Sequence, residues 1–380
     1  MPQRRLPTGL RLLHAANARL DVPIRGVGPV AGPIRRSLED ASLVAFDRLI
    51  ERAIDREVDA VLLGGNSFRI ADRSLRARLR VEQGLAMLSE AGIATVASCG
   101  PLDPASAWYD LALPEDVSIL TDRDPDAELT IRNETVLVSR IAGRGAITLL
   151  PPGEPFDGHC ESEYVGLADG CRATAEHDRS TVHDPGPLCP LTPSDIGTHG
   201  ASLIETHRGG VRISPLDLSP VVAGSETIAI DGETDIESLA ELMQEQMVER
   251  DGLGEDVAEV ITWSFDGAGP VLGDLSLDGT WDDLIELIDE AGGSRLHLLR
   301  REPAASRPDD IAALLADELT GHFDQTDLAI DEVIESVNHA ALRRRIDEAA
   351  VRDRIEPRVR ELARVAIGPN CPALWDGEAA

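Results

Sequence analysis

Residues 13–21 read LHAANARLD and close an apolar run that begins at Leu10. A short apolar run that breaks into polar residues reads as a buried strand entering a loop. Loops at the carboxyl ends of strands are where α/β proteins carry their chemistry. The residues downstream repeat the pattern. A Gly/Pro-rich loop, RGVGPVAGP, leads to a helix expected over 38–56, where Val44, Leu49, Ile50, Ala53 and Ile54 recur at helical spacing. The apolar DAVLLGG is a second strand, 74–90 a second helix and GIATVAS a third strand. Strand, helix, strand, helix, strand implies parallel pairing through right-handed crossovers.

From about residue 117 the texture changes to short strands without helical periodicity: VSILT, ELTIR, TVLVSRIA, AITLL, SEYVGLA, ASLIETH and VRISPL. These are expected to form a second sheet. The segment 169–198, rich in Pro, Gly, Asp, Thr and His, reads as a long irregular loop. After Val222 come SETIAIDG (strand), 235–250 (helix), VAEVITWSF and GPVLGDLSL (strands), a helix from Trp281 and the strand SRLHLLRR. That β-α-β-β-α-β order suggests a small α+β domain. Amphipathic stretches such as DLAIDEVIESV and VRDRIEPRVRELARVAI make the tail helical, for core packing or for a partner. The expected domains are therefore 1–221, 222–303 and a helical segment over 304–380.

The chain has 380 residues and a formal charge of −32, from 68 acidic and 36 basic residues. Every basic residue is arginine. Phosphate contacts usually come from clustered Lys and Arg, so weak or absent autonomous nucleic-acid binding is expected; the runs at 4–5, 300–301 and 343–345 are too short for a footprint. The apolar runs fall short of the roughly 18 residues a membrane span needs. Five cysteines, an odd number without CxxC, argue for a reducing compartment. The expectation is a soluble, acidic, cytoplasmic protein.

The motifs LHAANARLDVP (13–23), LLGGNSFR (62–69), GPLDPASAW (100–108), AITLLPP (146–152) and YVGLADGC (164–171) occur in a telling order. In that order they resemble the five motifs of calcineurin-like metallophosphoesterases, within them the DNA repair exonucleases of the SbcD-like and YhaO-like kind. DPGPLCPLTPSDIGTHGASLIE (184–205) resembles the family's next loop and strand. The resemblance implies a two-sheet α/β sandwich, a capping domain over 222–303 and C-terminal helices. It also implies two divalent cations, Mn(II) for an active member.

The family's ligands are not at their places. Asn17 and Arg19 replace the Asp and His of the first motif, and Asn66 stands at the bridging Asp. Pro101 and Leu102 replace the Asn and the acid–base His of the third motif. Pro151 replaces a ligand His, and Asp169 and Cys171 replace the last two. Two-metal phosphoester cleavage needs carboxylates and imidazoles to hold the cations and activate water. The reading is a non-catalytic member of the family, a structural or regulatory subunit with no metal and no cofactor. The partners implied are an SMC-like ATPase or a nuclease paralogue, with a homodimer among the implied assemblies. Two alternatives stay open. One is a phosphoesterase or exonuclease with a remodelled site around Asp21, Asp103, Asp169 and Cys171. The other is an acidic scaffold unrelated to DNA.

Arg19 raises its own alternatives: pairing with Asp169, Asp21 or Asp103 where a cation would sit, binding a phosphate or carboxylate, or turning out to solvent. His159, Cys160, Cys171, His177, His183 and Cys189 crowd one segment, but only His177 and His183 approach a zinc spacing. A nucleophile elbow, a P-loop and a dinucleotide fingerprint are absent from the sequence.

Overall fold

Strand β1 (Arg11–Ala15) leads through the Gly/Pro loop to α1 (Pro33–Asp55), β2 (Ala60–Leu63), α2 (Leu75–Glu90), β3 (Ala94–Ser98), the short α3 (Ala105–Tyr109) and β4 (Val117–Leu120). Strands β5 (Asp126–Ile131), β6 (Glu134–Ser139), β7 (Ile147–Leu149) and β8 (Tyr164–Gly166) come after it. Next are β9 (Ala173–His177), β10 (Ser180–Asp184), β11 (Gly200–His207) and β12 (Gly210–Asp217). The last elements are β13 (Val221–Ile230), α4 (Ile236–Glu249), β14 (Ala258–Gly267), α5 (Pro270–Asp274), α6 (Thr280–Ile288) and β15 (Arg295–Leu299). The computed structural model describes residues 5–299 apart from 29, 31, 157–159, 178, 250–256, 276, 278 and 289–294. The helical tail expected over 304–380 lies outside the described residues.

Two six-stranded sheets stack on each other. The first has the order β12-β11-β1-β2-β3-β4, with β1 to β4 parallel and β11 and β12 antiparallel at one edge. The second has the order β5-β6-β7-β8-β10-β9, with β6, β7, β8 and β10 parallel between antiparallel edges. The central strands of the first sheet are apolar on both faces because both are covered. Leu12, Leu62 and Val96 face the second sheet, packing with Val136, Val138, Ile147 and Tyr164. Leu13, Val61, Leu63 and Ala97 face the helices, packing with Phe46, Leu49, Val81, Leu85 and Trp108. Ser74 accepts the Ala77 N–H at 3.0 Å and so starts α2. From there Ala77, Val81, Leu85 and Leu88 form its buried stripe.

Four differences from the sequence reading have physical causes. Strands β4, β11 and β12 belong to the first sheet, not the second; alternation tells that a strand is half-buried but not on which sheet. The segment 169–198 is not all loop, since it holds the β9–β10 hairpin, and β10 is buried throughout. Its polar residues are satisfied inside: His183 Nδ1 meets Thr174 Oγ1 and His183 Nε2 meets Ser202 Oγ, both at 2.8 Å. Helix α1 begins at Pro33, five residues before the apolar stripe makes it visible. Finally, GPVLGDLSL contains α5 instead of a strand.

The order after Val221 is therefore β-α-β-α-α-β, a parallel three-stranded sheet β13-β14-β15. It has its own core of Ile228, Leu239, Met243, Ile261, Trp263, Leu284 and Ile288. Val221, Ala258 and Val260 join the core that packs under α1. Buried Glu259 is paired with Arg295 at 3.3 Å, and Trp263 Nε1–H donates to His297 Nδ1 at 3.0 Å. No helix among the described residues is long and apolar enough to cross a membrane.

Candidate functional site

The motif residues lie on the loops beyond the carboxyl ends of β1, β2, β3, β7 and β8. The loop after β1 is tied to the loop after β2 by backbone bonds. Asn17 N–H donates to Gly65 O and Arg19 N–H to Asn66 O, both at 3.0 Å, and Leu20 N–H donates to Ser67 O at 2.9 Å. The geometry requires left-handed backbone at Asn17 (φ 49), Arg19 (φ 42), Asp21 (φ 61) and Asn66 (φ 54). Asn and Asp tolerate this region; an arginine there costs roughly 1 kcal/mol.

Asn17 and Asn66 are both buried, 4% and 6% exposed, and bonded to each other. The orientation of both amides follows from one backbone donor. Leu102 N–H needs an acceptor and finds Asn66 Oδ1 at 3.1 Å. Asn66 Nδ2 then donates to Asn17 Oδ1 at 2.9 Å, and Asn17 Nδ2 donates to Ala168 O at 2.5 Å. The pair thus links the first sheet's loops to the end of β8 in the second.

Asp103, fully buried, closes the floor. It accepts N–H from Asn66 and Gly100 on Oδ1 and from Ser67 on Oδ2, all at 2.8 Å. Burial pushes its carboxyl up to about 6 even though these backbone bonds pull it down. Gly100 makes the cage possible, since a Cβ there would lie 2.6 Å from Asn66 Oδ1. Above the amide pair, Pro152 covers Gly65 (φ 98), where a Cβ would lie 2.8 Å from Pro152 Cδ.

The other sequence-predicted residues do not converge on this floor. Pro101 is exposed, Leu102 contributes its backbone N–H, and Pro151 is buried without a side-chain donor atom. Asp169 and Cys171 are exposed. Asp169 accepts Gly153 N–H at 3.0 Å, tying together the loops after β7 and β8. Cys171 offers its backbone N–H to Asp184 at 3.1 Å. Asp21 faces α2, where it accepts from Ser74 Oγ at 2.5 Å and pairs with Arg76 at 3.1 Å. Among the described residues no three His, Cys, Asp or Glu side chains form a group that could hold a metal ion. The donors present do not fit the two-cation centre that the resemblance implies: two mutually bonded amides, two prolines and a leucine stand at positions of its ligands and its acid–base His.

Of the alternatives for Arg19, the pairing with Asp169, Asp21 or Asp103 is not made. Each of these carboxylates is engaged elsewhere, and Arg19 forms no ion pair among the described residues. Its half-buried side chain has a buried Nε–H without an acceptor. Burial, then the positive charges of Arg25 and Arg69, lower its guanidinium from the usual arginine range, with Asp195 partly offsetting them.

Two features escaped the sequence reading. Asp184 accepts N–H from Gly170, Cys171 and Gly186 and so shapes the loop carrying Asp169; its signal was the Asp before Pro185-Gly186. His14, fully buried between the sheets, bonds Tyr164 OH through Nδ1 at 2.8 Å. Burial, with His183 nearby, holds His14 well below the usual histidine range. Burial likewise lowers His183 to about 4.

Two stacked mixed sheets with a loop cluster at their carboxyl ends define an α/β sandwich, an architecture consistent with that of metallophosphoesterases. No family model matches the chain. It is similar to the protein named "Uncharacterized metallophosphoesterase YhaO" of Bacillus subtilis (strain 168), 31% identical over 205 residues, which cover 51% of this chain and 47% of that protein. The chain spans about half the length of that relative, and the likeness supports the resemblance carried by the motif frames.

Proposed function

We propose that the chain is a non-catalytic member of the metallophosphoesterase DNA repair exonuclease family, a pseudoenzyme serving as a structural or regulatory subunit. The observation that carries this reading is the amide pair. Asn66 takes the bridging position, and its carboxamide is spent on Asn17 and on Leu102 N–H. A neutral amide cannot supply the bridging negative charge that holds two divalent ions about 4 Å apart. Pro151 and Leu102 remove further donors, and Asp103 is turned to backbone amides instead of toward a cation.

The partner in this reading is an SMC-like ATPase or an active nuclease paralogue. The net charge of −32 supports a division of labour in which the partner makes the phosphate contacts. Residues 222–303 act as the capping domain, and the protein works in the cytoplasm. Hydrolysis of bis-p-nitrophenyl phosphate in Mn(II) tests the reading. The expected result is no turnover above the metal-containing buffer. Turnover abolished by Asp169→Ala would replace it with the remodelled-enzyme reading.

A further inference from the structure

We propose that strand β9, with the groove it shares with β12, is a docking site for an extended segment of a partner protein. The segment adds to the second sheet as a further strand and carries an acidic residue at one end. The inference goes beyond the non-catalytic reading and does not depend on it.

The free edge is the first observation. β9 is the outer strand of the second sheet, and among the described residues β10 alone pairs with it. All five of its residues are exposed. β10 turns Thr181 N–H to Glu163 O and His183 O to Leu167 N–H, on the side of β8. Backbone groups alternate sides along a strand, so Ser180, Val182 and Asp184 face β9, and His177, Ala175 and Ala173 opposite them face back. Thr174 and Glu176 therefore direct their N–H and C=O outward, where no strand among the described residues meets them. Proteins usually blunt such an edge with Pro, Lys or a cover. The facing edge, β12, has Pro215; β9 has neither proline nor lysine.

The second observation is the groove. Two cavities of about 420 and about 1220 Å³ run along the seam between β9 and β12. They share Glu176, Thr181 and Val211 in their walls and so form one channel. The walls repeat at every second residue, with Thr174 and Glu176 on β9 and Val211, Ile213 and Pro215 on β12. Thr174 is held there by its bond with His183 at 2.8 Å, and the Glu176 carboxylate accepts from Thr181 Oγ1 at 3.1 Å. An extended peptide has the same period. A strand added at Thr174 and Glu176 directs every second side chain toward this channel and its apolar wall on β12.

The third observation is charge. Arg179, between β9 and β10, and Arg208, between β11 and β12, line the wider end of the channel. Both are exposed and make no ion pair among the described residues. A guanidinium fork takes a carboxylate, which sets the acidic residue at that end of the segment. Glu161 and Glu163 share the same end, so it suits a single carboxylate and not a polyanion. A charge of −32 on every copy opposes the pairing of β9 with itself, which favours a different protein over a second copy.

Selection of short random peptides from a displayed library on the immobilised full chain, followed by fluorescence polarisation with the labelled selected peptides, tests the proposal. The expected peptides alternate apolar residues and carry Asp or Glu at one end. Thr174→Pro and Glu176→Pro each remove one outward N–H and leave the bonds to β10 in place. Each should weaken binding by about tenfold, and Arg208→Ala should weaken it by about threefold. Hydrogen exchange reads the same edge without a substitution. Bound peptide should slow exchange of the Thr174 and Glu176 amides by about tenfold or more, whereas the Ala175 amide is protected before peptide is added. The absence of selected peptides overturns the proposal, as does binding that leaves exchange at Thr174 and Glu176 unchanged. A dimer of the chain that Glu176→Pro dissociates also overturns it, because the edge then serves a second copy. Each of these results leaves the non-catalytic reading standing, since that reading is decided by turnover.

Discussion

The floor of the cleft and its arginine rim are built on opposite rules. On the floor, the side chains of Asn17, Asn66 and Asp103 are consumed within the protein: they bond one another's loops and leave little to offer a ligand. At the rim, Arg19 keeps a buried donor unmatched beside two like charges. Substitutions on the floor should therefore register as lost stability, and substitutions at the rim should not. A site under one uniform constraint would not separate the two.

The largest effect is expected at Asp103. Asp103→Ala strands three buried N–H donors and should cost about 3–5 kcal/mol in denaturant unfolding. A cost under about 1 kcal/mol would mean the cage does not hold the floor.

The same carboxyl predicts a pH effect. Its folded value of about 6 lies above the ordinary 3.8, so the folded state holds this proton more tightly than the unfolded state does. Asp103 therefore contributes most stability below about pH 4 and loses that contribution as pH rises to about 6. Many other carboxylates titrate there, so the comparison must be with Asp103→Asn. Between pH 7 and pH 4 the wild type should gain on that variant by about 2–3 kcal/mol. A carboxyl resonance of Asp103 titrating below about pH 4 would contradict the prediction.

Next comes the amide pair. Asn66→Ala leaves Leu102 N–H and Asn17 Oδ1 without partners and should cost about 1–3 kcal/mol. Asn17→Ala should cost a similar amount, and the double variant less than the sum, because the two share a bond.

The smallest effect is expected at the rim. Arg19→Ala removes no ion pair and should shift stability by less than about 0.5 kcal/mol. A loss above about 1.5 kcal/mol would show that Arg19 is paired after all.

Floor and rim also differ in how far the amino-acid sequence reveals them. The alternation of the first 100 residues was legible because the helices' apolar stripes and the strands' apolar runs have different periods. The motif frames were legible because Gly, Pro and apolar residues hold the strand ends where they are. The internal bonding of the floor was not. Nothing in the spacing of Asn17 and Asn66 says that two amides 49 positions apart will bond, or that Asp103 turns to backbone amides. Arg19 invited a salt bridge on charge alone, and the carboxylates named for it proved to be engaged by nearer donors. The β9–β10 hairpin was hidden because β10 buries polar residues such as His183, bonded to Thr174 and Ser202, while β9 is exposed throughout, which composition cannot reveal.

Manganese content after incubation with Mn(II) and exhaustive dialysis tests the central claim most directly, that mutual amide bonding has taken the place of the metal centre. The account predicts no stoichiometric manganese in the wild type. Two ions per chain retained by the wild type and lost in Asn66→Ala would contradict it.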